Sequence, residues 1–191
     1  MPSTDPPRVV SVVASARRDG HTARLLDAVL AGRPARRFDL GRLRVGDYAY
    51  GAAPDDDFRA VAEAVAGADA VVLATPVYWY AMSGLLKRFF DRLTDLVTVH
   101  KPLGRRLAGR AVWVVASGSE PALPDGFEVP FQSTAAYFGM RYGGALYVPA
   151  REGRPLSAEQ ARRAEAFGAA VFAGPPRRGA ARAASARGPV S

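Results

Sequence analysis

Short runs of consecutive apolar residues alternate along the chain with longer segments that are apolar on one face only. The runs at 8–14 (RVVSVVA), 71–74 (VVLA) and 110–116 (RAVWVVA) are typical of strands that a parallel sheet buries on both faces. A run at 141–147 and a weaker one at 36–40, which is supported mainly by its position, predict two more strands. Strands that alternate with helices imply right-handed crossovers. The pattern therefore predicts an α/β fold, a three-layer doubly wound five-stranded parallel sheet in the order 2-1-3-4-5.

The segments between these runs carry apolar residues at helical spacing. In the first of them Leu25, Leu26 and Val29 share one helical face, and Gly32 is a suitable terminator. Ser83 is a candidate N-cap for the helix that follows the third strand. Pro76 has no N–H to donate and is expected to end that strand. Helices are predicted at 23–32, 56–66, 83–93, 131–138 and 157–173, and residues 94–109 are predicted to form a basic loop.

The alternation covers residues 8–174 and predicts a single domain, since a chain of 191 residues suffices for one well-buried α/β core. Residues 1–7 are polar and proline-rich and are expected to be a frayed end. Residues 175–191 contain mainly arginine, alanine, glycine and proline, a composition typical of a disordered tail.

Cysteine is absent from the chain. Its absence excludes disulfides, thiolate nucleophiles and cysteine-ligated metals, and it agrees with a reducing compartment. No apolar run reaches the roughly 18 residues that a membrane span needs, and the N-terminus lacks the pattern of a signal peptide. We therefore expect a cytoplasmic protein that makes no membrane contact.

A net charge of +8 first suggests a nucleic-acid partner. However, residues 175–191 contain four arginines and no acidic residue, so the rest of the chain carries only about half of the excess. We interpret much of the positive charge as compositional bias, and we expect no nucleic-acid partner.

Polar residues follow the first strand, at the point where a helix begins. The loop Ser15-Ala16-Arg17-Arg18-Asp19-Gly20-His21-Thr22 would offer free backbone N–H groups, hydroxyls and a guanidinium to a phosphate. It contains neither the glycine pattern of dinucleotide-binding folds nor a P-loop lysine. Taken alone, it is equally well a polar turn that binds nothing.

Two further loops would emerge at the same edge of the sheet. Residues 75–83 contain three consecutive aromatic residues, Tyr78, Trp79 and Tyr80, which suit a flat ligand or equally a packing contact with a neighbour. Residues 117–121 begin Ser117-Gly118-Ser119, small residues that allow a ligand to approach the backbone closely. A mononucleotide with a planar head group would contact all three loops.

These loops resemble those of the flavodoxin-like NAD(P)H-dependent FMN reductase and quinone reductase family. The first matches the family's G-S-P-R-x-x-G-x-T motif at Ser15, Arg17, Gly20 and Thr22, and departs from it at Ala14, Ala16 and His21. The second matches more closely, at Thr75-Pro76-Val77-Tyr78-Trp79, at Met82-Ser83-Gly84-Leu85-Leu86-Lys87 and at Phe90-Asp91-Arg92. The resemblance extends over roughly residues 9–171.

The resemblance implies a flavodoxin-like fold, a non-covalent FMN and NADPH or NADH as co-substrate. Its implied contacts are Ser15, Arg17, Gly20, His21 and Thr22 to the phosphate, Pro76, Val77, Tyr78, Trp79 and Tyr80 to the flavin, and Ser117, Gly118 and Ser119 to the other edge of the ring. It implies an enzyme without a catalytic acid or base of its own and without a metal. Two-electron hydride transfer would run from nicotinamide through FMN to a quinone, flavin, azo or nitro acceptor.

The family also implies a homodimer or homotetramer, in which Tyr48, Tyr137 and Tyr147 are candidate interface residues. The main alternative is a flavodoxin-type electron carrier without direct NAD(P)H turnover, although the basic charge of this chain is unusual for such carriers. A further alternative is a flavin-free scaffold that binds nucleic acid through its arginines. Turnover of NAD(P)H would exclude the carrier. Salt-sensitive DNA binding that is lost when residues 175–191 are deleted would support the scaffold.

Overall fold

A computed structural model describes residues 6–51, 54–150 and 154–174 of the chain. The predicted tail at 175–191 and most of the predicted frayed end at 1–7 lie outside the described residues. The strands are β1 (Val9–Val13), β2 (Ala35–Asp39), β3 (Ala70–Tyr78), β4 (Ala81–Met82), β5 (Ala111–Gly118) and β6 (Arg141–Pro149). The helices are α1 (His21–Leu30), α2 (Phe58–Gly67), α3 (Gly84–Arg92), α4 (Lys101–Arg105), α5 (Val129–Tyr137) and α6 (Ala158–Ala173), with a 3₁₀ turn at Leu93–Leu96.

Five strands form a parallel sheet in the order β2-β1-β3-β5-β6, and the short β4 pairs antiparallel with the end of β3. Counted without β4, this order is the predicted 2-1-3-4-5, so the predicted fold is confirmed. All five residues of β1 are buried, whereas β2 at the edge is partly exposed, in agreement with the strong and weak apolar patterns of the two segments.

Alternate residues of the central strands supply two apolar layers, one on each face of the sheet. Leu25, Leu26 and Val29 of α1 pack with α6 against one face. Phe58 of α2, Leu86 of α3 and their neighbours pack against the other, together with α5. The sheet is therefore covered on both faces, and its carboxyl edge is left for the loops.

Helices α1 and α6 pack in unusually close contact. A Cβ added at Gly168 of α6 would overlap the backbone carbonyl oxygen of Val29 in α1. Only glycine allows the two helix backbones to approach this closely.

Side-chain caps define where two helices begin. The Ser83 hydroxyl accepts a hydrogen bond from the Leu86 N–H at 3.3 Å, which confirms the predicted N-cap, and donates to the Ala14 carbonyl at 2.7 Å. Ser157 and Gln160 form a reciprocal capping box at the start of α6. The hydrogen bond from Ser83 to the Ala14 carbonyl also attaches the start of α3 to the end of β1.

The prediction that Pro76 ends the third strand was wrong. Strand β3 continues through Pro76 to Tyr78, and Pro76 pairs with Ser117 in register. The pairing of β1 with β3 stops at Val13 and Ala74, so no N–H of residue 76 is needed on that side. The predicted basic loop at 94–109 is also corrected, because it contains the 3₁₀ turn and α4.

Candidate functional site

A cleft of about 690 Å³ lies at the carboxyl edge of the sheet, where β1, β3 and β5 end. The three predicted loops all line it. The lining residues are Ser15, Arg17, Asp19, Gly20, His21, Thr22, Arg24, Pro76, Val77, Tyr78, Ser117, Gly118, Ser119 and Ala150. Of the thirteen residues predicted for the site, the structure brings together all except Trp79 and Tyr80.

The first loop presents the N-terminus of α1 to the cleft. Gly20 is the N-cap and has no side chain to satisfy the first turn, and within the described residues the N–H groups of Gly20, Thr22 and Ala23 donate to no atom. The Ser15 hydroxyl accepts from the Arg17 N–H at 3.3 Å and donates to its carbonyl at 3.0 Å, which fixes the turn that precedes the helix. Free N–H groups at the positive end of a helix dipole form a site for an anion.

Charged side chains around this N-terminus favour a negatively charged ligand. Arg17 and Arg24 line the cleft, and Asp19 is the one carboxylate among its described lining residues. Arg18 points elsewhere and lines a separate cleft beside β2. Sequence reasoning missed Arg24 and Asp19, although their position in and next to the first turn of α1 was a usable signal.

A hydroxyl pair joins the first loop to the third. Thr22 and Ser117 are both buried, and their hydroxyl oxygens lie 2.7 Å apart in a hydrogen bond. The two residues are 95 positions apart in sequence, so this bond fixes the distance between the start of α1 and the end of β5. In such a pair one hydroxyl keeps its proton available for a further acceptor.

The third loop is held from behind by β6. The Ala150 N–H donates to the Gly118 carbonyl at 2.6 Å, and the Tyr147 hydroxyl donates to the Glu120 carbonyl at 2.7 Å. Tyr147 is only 8% exposed, so its prediction as an interface residue was wrong. Burial, and secondarily the charge of Glu120, raises the pKa of Tyr147, and the hydroxyl stays a donor at neutral pH.

The second loop is a tight hairpin between β3 and β4. Tyr78 pairs with Ala81, and Trp79 and Tyr80 form the two-residue turn with positive φ angles of 50° and 65°. Their side chains are 94% and 67% exposed and lie outside the cleft. This placement follows from the continuation of β3 past Pro76, which carries both residues beyond the cleft rim. A left-handed conformation is strained for bulky residues.

A fourth loop, between β2 and α2, reaches the same edge and was not part of the predicted site. It is anchored by the Arg92 cluster, which we define as Asp56, Arg92 and Asp95. Arg92 is 2% exposed and donates to Asp56 at 2.5 Å and to Asp95 at 2.8 Å. Asp56 also accepts from the Gly46 N–H at 2.8 Å and so ties the loop to α3.

Burial alone would raise the pKa of Asp56, but hydrogen bonds from Arg92, Gly46 and Phe58 outweigh it and lower the pKa below its usual value. Burial would likewise lower the pKa of Arg92, whereas its bonds to Asp56 and Asp95 raise it. Asp56 and Arg92 are therefore both ionised at neutral pH.

The cleft fits FMN by its size and by the order of its donors. Its volume lies within the range of cofactor pockets, about 300–1,000 Å³. The anion site at α1 lines the same cleft as the apolar surfaces of Pro76, Val77 and Tyr78 and the small residues of the third loop. No group of three or more metal-ligating side chains is found in residues 6–51, 54–150 and 154–174. In the same ranges no helix has the length and apolar character of a membrane span.

Several curated proteins are similar to part of this chain. The curated protein KefF of Enterobacter sp. (strain 638), the ancillary protein of a glutathione-regulated potassium-efflux system, is 35% identical over 95 residues, 45% of this chain and 54% of KefF. The chain spans about half the length of the curated relatives it matches.

Two solved structures share the fold. An NADH:FMN oxidoreductase in its apo form superposes with a TM-score of 0.65 at 22% identity, covering 87% of this chain and 89% of the other. General stress protein 14 of Treponema denticola, solved in complex with FMN, gives a TM-score of 0.58 at 19% identity, covering 87% and 97%. The profile of the family named NADPH-dependent FMN reductase matches residues 7–148. As the loop motifs predicted, the chain belongs to the NADPH-dependent FMN reductase family.

Proposed function

We propose that this protein is an NAD(P)H-dependent oxidoreductase that holds FMN in the cleft and passes two electrons to a small-molecule acceptor, a quinone, flavin, azo or nitro compound. The observation that carries the proposal is the meeting of three dissimilar surfaces in one cleft: free helix N–H groups, a flat apolar wall and a backbone of small residues. A nucleotide with a planar redox-active head needs this combination, and family membership agrees with it.

The phosphate end is assigned to the first loop. Ser15, Arg17, Gly20, His21 and Thr22 would hold the phosphate, with Arg24 as an additional cation on the same helix. Each charge-assisted donor contributes about 1.5–3 kcal/mol. The paired hydroxyls of Thr22 and Ser117 would set the distance between this end and the third loop.

The ring end is assigned to the second and third loops. Pro76, Val77 and Tyr78 offer an apolar wall, and Ser117, Gly118 and Ser119 allow close approach on the other side, where Ser119 would offer its backbone N–H. Bound FMN would accept hydride from a nicotinamide and release two electrons to the acceptor. The protein's part is to bind and orient the cofactor and to exclude water from one side of it, so no residue is assigned as a catalytic acid or base.

Trp79 and Tyr80 would act outside the cofactor contacts. Their exposed rings beside the cleft suit contact with an aromatic acceptor or with the second subunit of a homodimer or homotetramer. We expect Trp79→Ala to raise the KM for a quinone about three- to tenfold while the FMN Kd stays unchanged, since a stacked aromatic pair contributes about 0.5–1.5 kcal/mol. Tyr137→Ala, which removes an exposed aromatic residue on α5 away from the cleft, is the control for acceptor kinetics. Equal KM values for both variants would remove Trp79 from the acceptor site.

The proposed function is tested by the visible spectrum of the purified protein, loaded with FMN if necessary, before and after NADPH or NADH is added under argon. Bleaching of the flavin bands, followed by recovery when a quinone is added, supports the reductase. A flavin spectrum that does not bleach favours the electron carrier instead. A protein that takes up no FMN contradicts both.

A further inference from the structure

Tyr147 is a buried residue to which the proposed function gives no role. It lies in β6 opposite Ala116 of β5, at the carboxyl edge of the sheet and behind the third loop. Among the described residues, its hydroxyl makes one hydrogen bond, to the carbonyl oxygen of Glu120 at 2.7 Å. That carbonyl belongs to the loop that lines the cleft, so the side chain connects the interior of the sheet to the candidate site.

The same side chain also limits where the loop can lie. A Cβ at Gly118 would come within 3.1 Å of the Tyr147 hydroxyl and 3.0 Å of the Val77 Cβ. Gly118 therefore lies between Tyr147 of β6 on one side and Val77 of β3 on the other. Any shift of the loop toward the sheet would bring its backbone into contact with Tyr147.

What the loop offers to a ligand is its unused donors. Within the described residues, the N–H groups of Ser119 and Glu120 donate to no atom. Pro121 restricts the backbone of Glu120 to extended conformations, and Tyr147 holds the carbonyl of Glu120. These two restraints together fix the direction of the Glu120 N–H and reduce the freedom of Ser119.

We infer that Tyr147 is a positioning residue for the cofactor site, whose hydroxyl keeps the Ser119 and Glu120 N–H groups directed for hydrogen bonds to the polar edge of the bound ring. The inference rests on the proposed function, because the ligand is taken to be FMN. Fixing these donors before binding raises affinity, since their ordering no longer opposes binding.

The chain offers a matched control on the same strand. Tyr142 is partly buried, and its hydroxyl donates to the Glu128 carboxylate at 2.7 Å. It lies near the amino end of β6, far from the cleft and opposite Val112. Tyr142→Phe therefore removes the same kind of hydrogen bond as Tyr147→Phe without touching the third loop.

The experiment compares the full-length protein with Tyr147→Phe and Tyr142→Phe. FMN Kd is measured by quenching of flavin fluorescence, and amide hydrogen exchange of residues 117–123 is measured on the apoprotein, where activity has no influence. We expect Tyr147→Phe to raise the Kd roughly three- to tenfold, the equivalent of one neutral hydrogen bond, and to speed exchange in this segment. Tyr142→Phe should change neither quantity, even if it lowers the Tm by a similar amount.

Equal Kd values for the three proteins, with FMN bound by all of them, overturn the inference and leave the proposed function intact. Faster exchange in Tyr147→Phe at unchanged Kd also overturns it, because the loop would then be held for stability alone. Failure of the unmodified protein to bind FMN overturns both the inference and the proposed function.

Discussion

Two loops at the same edge of the sheet are held in opposite ways. The Ser117–Glu120 loop has three hydrogen bonds to two other elements: Tyr147 and Ala150 bind it from β6 and the residue after it, and Thr22 binds it from α1. The hairpin turn of Trp79 and Tyr80 has exposed side chains and a strained backbone. The loop that lines the cleft is fixed by the interior of the protein, whereas the turn outside the cleft exposes two aromatic rings to solvent.

The difference separates two tasks within one site. A wall that is ordered before binding costs little entropy when it receives a permanent ligand. A strained turn with exposed aromatic rings is typical of a surface that meets a second molecule. The β2–α2 loop is also fixed before binding, because the buried Arg92 cluster ties this loop to α3.

The largest effect is expected from the Arg92 cluster. Arg92→Met would leave the buried carboxylates of Asp56 and Asp95 without their cation, and we expect a loss of about 3–5 kcal/mol in the free energy of unfolding. Arg88→Met, on the same helix, removes only an exposed pair with Asp47 and should cost less than about 1 kcal/mol. Urea denaturation measures both variants, and similar losses would contradict the anchoring role of the cluster.

Lowering the pH tests the Arg92 cluster without changing the size of any side chain. The folded-state pKa of Asp56 lies below its unfolded value, so its contribution to stability is present above the unfolded value of about 4 and is lost as the pH falls through the lower folded value. We expect the free energy of unfolding of the unmodified protein to fall from about pH 5 downward. In Asp56→Asn this fall should be shallower. Asp69, whose lowered pKa comes mainly from the Arg8 N–H, should account for part of the remaining slope.

Removal of a cleft cation is expected to affect binding and leave stability almost unchanged. Arg17→Ala should raise the FMN Kd about ten- to a hundredfold, the equivalent of one charge-assisted bond. Arg18→Ala is the matched control, because the neighbouring side chain lines a different cleft. Isothermal titration with FMN would measure both, and equal Kd values would remove Arg17 from the phosphate site.

The smallest effect is expected at the strained turn. Tyr80→Gly relieves a positive φ of 65°, and we expect a net gain of about 0.5 kcal/mol, because glycine also loses more entropy on folding. Ala31→Gly relieves a φ of 45° at the end of α1 and should give a similar gain. A loss of stability in Tyr80→Gly alone, measured by thermal unfolding, would mean that the tyrosine ring makes a stabilising contact that outweighs the strain.

Local sequence pattern predicted most of the fold. The buried runs at β1, β3 and β5 and the cap at Ser83 depend on near neighbours, and these predictions are confirmed. The continuation of β3 through Pro76 was missed, because the effect of a missing N–H depends on whether a partner strand is still present at that point.

Candidate residues that directly follow strand ends could be named from the sequence. Features of the cleft that depend on contacts between distant residues were missed. Thirteen residues were named from three loops, and the sequence gives no reason for Trp79 and Tyr80 to leave the cleft until the hairpin is known. The bonds of Thr22 with Ser117 and of Arg92 with Asp56 join residues far apart in sequence. Hydrophobic periodicity does not reveal contacts between residues that are far apart in sequence. No sequence pattern therefore indicated the contacts of Tyr147 or of the β2–α2 loop.

The glycine at the crossing of α1 and α6 constrains how this chain can drift in evolution and how it can be re-engineered. Any side chain at position 168 must push the last helix away from Val29, on the helix whose first turn forms the proposed phosphate site. A substitution at position 168, far from the cleft, would thus affect ligand binding. A reporter domain is consequently better fused beyond Gly174 than grafted into α6, whose sequence has little freedom on the side that faces α1.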